Sequence, residues 1–268
     1  MEGPYHLYGP CGWSYPDWKG TVYPTPKPRG FSPLRFIADR FDFVEVNTTF
    51  YRIPTPSLCQ GWIEQTRPLK RFLFWVKLHK SFSHEGPLDP SQAGLFLEGI
   101  SPLVESGRLA GLLLQFPYSF SWSPENTLRL TRTAELFPGQ TLAVEFRHRS
   151  WERQEVLDLF RSREWIWTNV DLPDLSLNPP LTGYATGKGA AYFRLHGRNA
   201  SSWFSGEGRD SRYDYDYSLR ELEEIALKIR SLPRNLSKVF IAGNNHYRGG
   251  AVRNLESLRR LLSRPEAL

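Results

Sequence analysis

Eight short runs rich in β-branched and aromatic residues recur along this chain of 268 residues, and that recurrence leaves few folds open. The runs are Tyr5–Gly9, Asp42–Asn47, Phe72–Lys77, Gly111–Phe116, Thr141–Phe146, Trp165–Val170, Ala190–His196 and Lys238–Gly243. The segments between them are of crossover length. Antiparallel neighbours could be joined by tight turns, whereas parallel ones need a long return path, so the spacing predicts parallel strands and an α/β class. Runs such as GLLLQF and KVFIAG are apolar almost throughout, which fits strands buried on both faces. Eight such strands in a chain of this length suit one (β/α)₈ barrel, a unit of about 250 residues. We therefore expect a single domain over residues 1–268.

The connecting segments carry helix signals of a consistent kind. Ser32-Pro33 opens a segment running to Arg40, with proline at the first helical position, where its missing N–H is not needed. Ser123-Pro124-Glu125 opens another, Ser218-x-x-Glu221 is a capping box, and Val252–Leu262 spaces its Val and Leu residues at helical intervals. Asp171–Gly189 is different. Its sequence, DLPDLSLNPPLTGYATGKG, is broken by Pro and Gly, so the helix between strands six and seven is expected to be missing or degraded. Pro10–Phe31 and Arg198–Tyr217 are long, follow strands, and should lie over the C-terminal end of the barrel.

Composition narrows the classes further. Lys and Arg exceed Asp and Glu by six, a modest excess that favours anionic partners without a polybasic run. The two cysteines, Cys11 and Cys59, are too few for a disulfide scaffold or a cysteine metal site. No apolar leader is visible in MEGPYHLYG, and no stretch of about 18 apolar residues occurs, so the expectation is a soluble cytoplasmic protein without a membrane partner.

The strand ends are polar. Glu45 and Asn47 end the second strand, Lys77 the third, Gln115 the fourth, Glu145 and Arg147 the fifth; Asp171 follows the sixth. Arg194, His196 and Arg198 mark the seventh, and Asn244 follows the eighth. Period-two alternation puts Glu45 with Asn47, Glu145 with Arg147 and Arg194 with His196 on common faces, so each pair can enter the barrel mouth. Buried charges must pair with each other or meet a ligand. One expectation is a self-satisfied ion network of Glu45, Glu145, Lys77, Arg147 and Arg194. The other is an anion site with Lys77, Arg147, Arg194 and Arg198 as cationic contacts, since arginine suits bidentate binding of phosphate or carboxylate.

These residues fall in a set of ordered motifs: CGWSYPDWKGTVYP, FVEVNTTFYRIP, FWVKLHKSFSH, LLLQFP, AVEFRHRSW, YFRLHGR and the pair Asn244-Asn245. In them the chain resembles the YecE-like proteins, domain of unknown function 72, over nearly its whole length. The resemblance implies a TIM-barrel fold. It also implies site positions at Trp13, Tyr15, Glu45, Asn47, Phe50, Tyr51, Lys77, His84, Gln115, Glu145, Arg147, Trp151, Arg194, His196, Gly197 and Asn244. Gly243 and His246 depart from the residues that usually flank the Asn pair. The family looks like endonuclease IV-type barrels in shape, an analogy that brings nucleic acid in as a partner.

Several chemistries fit this residue set. A glycosidase would need Glu45 and Glu145 as its carboxyl pair. A metal-dependent phosphodiesterase would draw on Glu45, Glu145, Asp171, His196 and His246, with His84 and His148 nearby; but no short metal-ligand motif occurs, and Lys77, Arg147 and Arg194 would repel a cation. Acid–base chemistry without metal or other cofactor is the expectation we carry forward. Glu45, Glu145 and His196 are its catalytic candidates. Trp13, Tyr15, Asn47, Tyr51, Lys77, His84, Gln115, Arg147, Arg194, Arg198 and Asn244 are its binding candidates, in a hydrolase or lyase acting on a phosphate- or carboxylate-bearing molecule. The alternatives are a nucleic-acid binding or repair protein and a non-catalytic ligand sensor. Aromatic residues in the first loop (Trp13, Tyr15, Trp18) and the seventh (Trp203, Phe204, Tyr213, Tyr215, Tyr217) could stack on a base or seal the barrel top.

Overall fold

The computed structural model describes residues 3–201, 203 and 211–263; Phe204 lies outside the described residues. Eight parallel strands form one sheet: β1 (Tyr5–Pro10), β2 (Phe43–Val46), β3 (Leu73–Lys77), β4 (Leu109–Gln115), β5 (Leu142–Glu145), β6 (Ile166–Asp171), β7 (Ala190–Leu195) and β8 (Lys238–Gly243). Their order around the sheet is β1-β8-β7-β6-β5-β4-β3-β2. The two ends of that order meet at a seam. Asp42 N–H donates to the Tyr8 carbonyl at 2.9 Å, Tyr8 N–H donates to the Asp42 carboxylate at 2.9 Å, and Cys11 bridges to Glu45. A side chain at position 9 would put its Cβ 2.2 Å from the Phe43 carbonyl oxygen, so only Gly9 lets the first and second strands close the cylinder. This is the (β/α)₈ architecture expected from the sequence.

Among the described residues the helices are α1 (Pro33–Ala38), α2 (Pro56–Gln65), α3 (Pro90–Glu105), α4 (Pro124–Glu135), α5 (Gln154–Ser162), α6 (Leu219–Arg230) and α7 (Gly250–Leu262). The first four share one start: proline at the first helical position, preceded by a capping side chain. Ser32, Thr55, Asp89 and Ser123 accept the N–H groups of Arg35 (3.2 Å), Leu58 (3.3 Å), Ser91 (2.9 Å) and Asn126 (3.1 Å). At α6 the capping box forms in both directions between Ser218 and Glu221. Each such cap is worth about 1 kcal/mol.

No helix stands between β6 and β7. The intervening loop covers the outer face of β6 through side chains instead. Asn169, fully buried, accepts the Tyr184 N–H (2.8 Å) and the Thr182 hydroxyl (2.7 Å), and donates to the Tyr184 carbonyl (3.0 Å). Thr186 accepts the Trp167 N–H at 2.8 Å and donates to the Trp165 carbonyl at 2.7 Å. The prolines and glycines that forbid a helix leave backbone groups that these polar side chains satisfy.

Three apolar layers hold the barrel. Its interior is filled by Phe43, Trp75, Leu113, Ala143, Ile166, Tyr192 and Phe240, with the Trp75 and Tyr192 rings stacked at 4.5 Å. Outside, one cluster packs the β2–β6 side against α2–α5 and another packs β7, β8 and β1 against α6 and α7. Each buried large side chain contributes about 1.5–3 kcal/mol. The interior aromatic layer ends one step below the C-terminal strand ends, where polar residues take over.

Candidate anion-binding site

Period-two alternation brings Glu45, Lys77, Gln115, Glu145 and Arg194 inward at the top of β2, β3, β4, β5 and β7. Arg194 is the hub. Its guanidinium donates to Glu45 through Nε (2.8 Å) and Nη2 (2.6 Å), and through Nη1 to Glu145. Tyr192 donates its hydroxyl to the same Glu45 at 2.5 Å, and Arg147 Nε pairs with Glu145 at 2.5 Å. Glu45, Glu145 and Arg194 are almost wholly withdrawn from solvent, at 0%, 0% and 1% exposure. Burial alone would raise the Glu145 carboxyl, but Arg147, Arg194 and His196 more than reverse this and hold it well below the usual carboxylate range. The ion network expected from the sequence is therefore present for four of its five members.

The fifth stands apart. Lys77 is half-buried, and no carboxylate of the described residues pairs with it. Its Nζ donates to Gln115 Oε1 at 2.7 Å and sits 4.1 Å from the Phe50 ring centroid. Burial and then Arg194 pull the ammonium down, with Arg147 adding to them; Glu145 and Glu45 oppose, and the result is about 7. The turn that carries Phe50 is tied to β3 by Thr49, whose hydroxyl donates to the Lys77 carbonyl at 2.6 Å.

Above this floor opens a cavity of about 560 Å³. Its polar lining includes Asn47, Lys77, Gln115, Arg147, Arg194 and Asn244; its apolar wall is Trp13, Phe50, Tyr51, Leu58 and Trp62, and Tyr15, Tyr213 and His246 also line it. Internal hydrogen bonds shape the first loop. Tyr15 donates to the Cys11 carbonyl, Tyr23 to the Trp13 carbonyl, and Trp18 Nε1 to the His246 carbonyl at 2.7 Å. Tyr15 and His246 stack at 4.2 Å, and Trp13 meets Trp62 edge-on at 5.8 Å. Asn47 Oδ1 is shielded from solvent and accepts no hydrogen bond, an acceptor waiting at the cavity edge.

The structure brings together most of the residues singled out from sequence, at different depths. Trp13, Tyr15, Asn47, Tyr51, Lys77, Gln115, Arg147, Arg194 and Asn244 line the cavity. Glu45, Glu145 and His196 lie beneath it, each at 0% exposure. His196 Nδ1 faces Asn244 Nδ2 at 2.8 Å and Arg147 Nη2 at 3.4 Å. A guanidinium can only donate, so Nδ1 accepts and the ring proton resides on Nε2, 3.5 Å from Glu145. Burial, with Arg147 adding to it, pushes His196 down to about 3, so the ring is neutral.

Other expected positions face elsewhere. His84 backs the Phe50 ring edge-on at 4.9 Å and opens on a neighbouring cleft with Ser83, Glu85 and Arg129. Arg198 turns outward to Asp171 (2.8 Å) and Glu224 (3.0 Å), and Asp171 also accepts the Tyr217 hydroxyl at 2.6 Å. Trp151 is buried on Phe146, its Nε1 donating to the Phe120 carbonyl at 2.6 Å. Gly197 adopts φ 88° and donates its N–H to Tyr217, where a Cβ would come within 2.5 Å of Tyr215. Trp203 packs on Val170 and Leu172, with the Arg147 guanidinium 5.8 Å away. The sequence does not point to Leu58 and Trp62, from α2, as lining residues, and it offers His246 as a metal-ligand candidate. For Leu58 and Trp62 the only sequence signal is aromatic and apolar character in a helix that follows a site strand.

Among the described residues, no three His, Cys, Asp or Glu side chains are grouped so as to hold a metal ion, and no helix is long and apolar enough to cross a membrane. Comparison with known proteins extends these observations. The model of the family described as "Protein of unknown function DUF72" matches residues 7–268. The UPF0759 protein YunF of Bacillus subtilis (strain 168) is 29% identical over 269 residues, covering 95% of this chain and 93% of that one. The UPF0759 protein YecE of Escherichia coli (strain K12) is 32% identical over 139 residues, 51% of this chain and 46% of that one. Among solved structures, a DUF72 family protein from Thermotoga maritima MSB8 aligns with a TM-score of 0.84 at 34% identity, over 97% of this chain and 99% of the other. One from Enterococcus faecalis V583 aligns at 0.84 with 25% identity, over 98% and 100%.

Proposed function

The chain belongs to the DUF72 family, and within that frame we propose that its barrel mouth binds a small organic anion bearing a phosphate or carboxylate group. The observation that carries this reading is Lys77, a cation at the cavity wall that no carboxylate satisfies, beside an Arg147 whose guanidinium is anchored from below by Glu145. A half-buried cation without a counter-charge is only partly compensated by solvent, and an arriving anion completes its pairing. Glu45 and Glu145 then serve to aim two guanidinium groups, and the aromatic wall encloses the organic body of the guest. If the guest is turned over, in a hydrolase or lyase reaction, Lys77 and His246 are the lysine and the histidine within its reach, since Glu45, Glu145 and His196 are covered.

Calorimetric titration with glycerol 3-phosphate checks the idea. Saturable binding is expected, weakened about tenfold or more by Arg147→Ala. Heat flow no greater than with glycerol would refute the site. The second reading, a nucleic-acid partner, is favoured by the aromatic wall, which could take a base. It requires salt-dependent binding of an oligonucleotide that outcompetes glycerol 3-phosphate. Binding without conversion would mark a sensor.

A further inference from the structure

We propose that Lys77 is a covalent site, its amine condensing with the carbonyl carbon of an aldehyde or ketone whose anionic group rests on Arg147. This deepens the anion-binding reading and depends on it for the substrate's orientation. Lys77 is the one lysine among the lining residues, and it ends β3 with Nζ at the cavity wall. Its hydrogen-bond partner is neutral. Gln115 donates its amide nitrogen to the Phe116 carbonyl at 2.6 Å, which leaves the amide oxygen for Nζ at 2.7 Å. An amide oxygen orients an amine without fixing a positive charge on it, as a carboxylate would.

The groups facing Lys77 favour the free base. Arg194 and Arg147 approach from β7 and from the end of β5, while Glu45 and Glu145 are tied to those guanidinium groups. Phe50, from the turn after β2, acts the other way, its ring face attracting the ammonium, but more weakly than burial and the two guanidinium groups oppose it. His84, brought down to about 4 by burial and by Lys77 itself, is neutral. With Lys77 near 7, a large fraction of its amine is unprotonated at neutral pH, whereas an ordinary lysine, near 10.4, is almost wholly protonated.

The step is a dehydration without redox change. The Nζ lone pair forms a C–N bond with the carbonyl carbon, and the C=O π pair moves to oxygen. That oxygen takes the Nζ proton to give a carbinolamine. A second proton from solvent lets the C–O bond break, water leaves, and the nitrogen becomes a protonated imine. Its positive charge is matched by the anionic group of the same molecule.

Glyceraldehyde 3-phosphate with sodium cyanoborohydride tests this, with glycerol 3-phosphate as the carbonyl-free partner. Peptide mass mapping is expected to find the reduced adduct at Lys77, forming about tenfold or more faster at pH 7 than on any other lysine. Labelling at that position should vanish in Lys77→Arg and persist in Lys188→Arg, whose side chain is exposed and paired with Glu164 at 3.5 Å. With the aldehyde well below saturation, so that the empty protein is the species titrated, the rate at Lys77 should rise with a midpoint near pH 7. Binding of glycerol 3-phosphate with no adduct at Lys77, or with adducts spread evenly over the lysines, would overturn the covalent site and leave the anion site standing. A selective Lys77 adduct with no saturable binding of glycerol 3-phosphate would keep the covalent site and remove the anion-binding reading.

Discussion

At the scale of single residues, Arg194 decides whether the barrel top can exist. It satisfies two fully buried carboxylates at once, and no other described cation reaches Glu45. Arg194→Leu, similar in its apolar stem, leaves Glu45 with the Tyr192 hydroxyl and the Cys11 thiol but no cation. We expect a loss of about 3–5 kcal/mol in urea unfolding, the usual result of stranding one partner of a buried pair. A loss under about 1 kcal/mol would show that the network is not a stabilising unit. Alternation along the strands makes the pairs Glu45 and Asn47, Glu145 and Arg147, and Arg194 and His196 legible as inward, and the polar strand ends add Lys77 and Gln115. Depth was not legible. Glu145 and Arg147 look equivalent in sequence, yet one is sealed under the floor and the other reaches the cavity. Arg147 stands two residues beyond the end of β5, while Arg194 lies across both Glu45 and Glu145 and covers them.

At the scale of elements, the connection between β6 and β7 is the weak place in the wall. Where a helix would bury an apolar stripe, Asn169 holds the loop by three hydrogen bonds. Asn169→Ala is expected to destabilise by about 1–3 kcal/mol and to speed hydrogen exchange at the β6 amides before those of β8. Unchanged exchange in β6 would show that the loop is held by other means. The missing helix could be read from sequence, because Pro and Gly exclude it whatever surrounds them. All eight strands could be read as well, since several of them, such as those in GLLLQF and KVFIAG, are apolar almost throughout, as parallel strands buried on both faces are. The part played by α2 could not. Leu58 and Trp62 reach the cavity only because α2 begins just after the turn that carries Phe50 and Tyr51, a proximity made by the closed cylinder.

At the scale of the whole molecule, the surplus of basic over acidic residues says little about the barrel mouth. The count there is local. Two carboxylates and two guanidinium groups neutralise one another beneath the cavity, so Lys77 is the only group of the five that can make the mouth cationic. Occupancy by an anion and occupancy of this amine by a proton are therefore a single linked equilibrium. Above about pH 7 the amine is mostly bare, and an arriving glycerol 3-phosphate should draw a proton from solution onto it; below that pH the proton is already in place. The apparent heat of binding at pH 8 should then change with the ionisation enthalpy of the buffer in the sense of proton uptake, and that uptake should fall away toward pH 6, where the amine is already charged and the ligand's own phosphate begins to release a proton instead. A buffer-independent heat at pH 8 would mean that binding does not change the protonation of Lys77 and that the two equilibria are not linked.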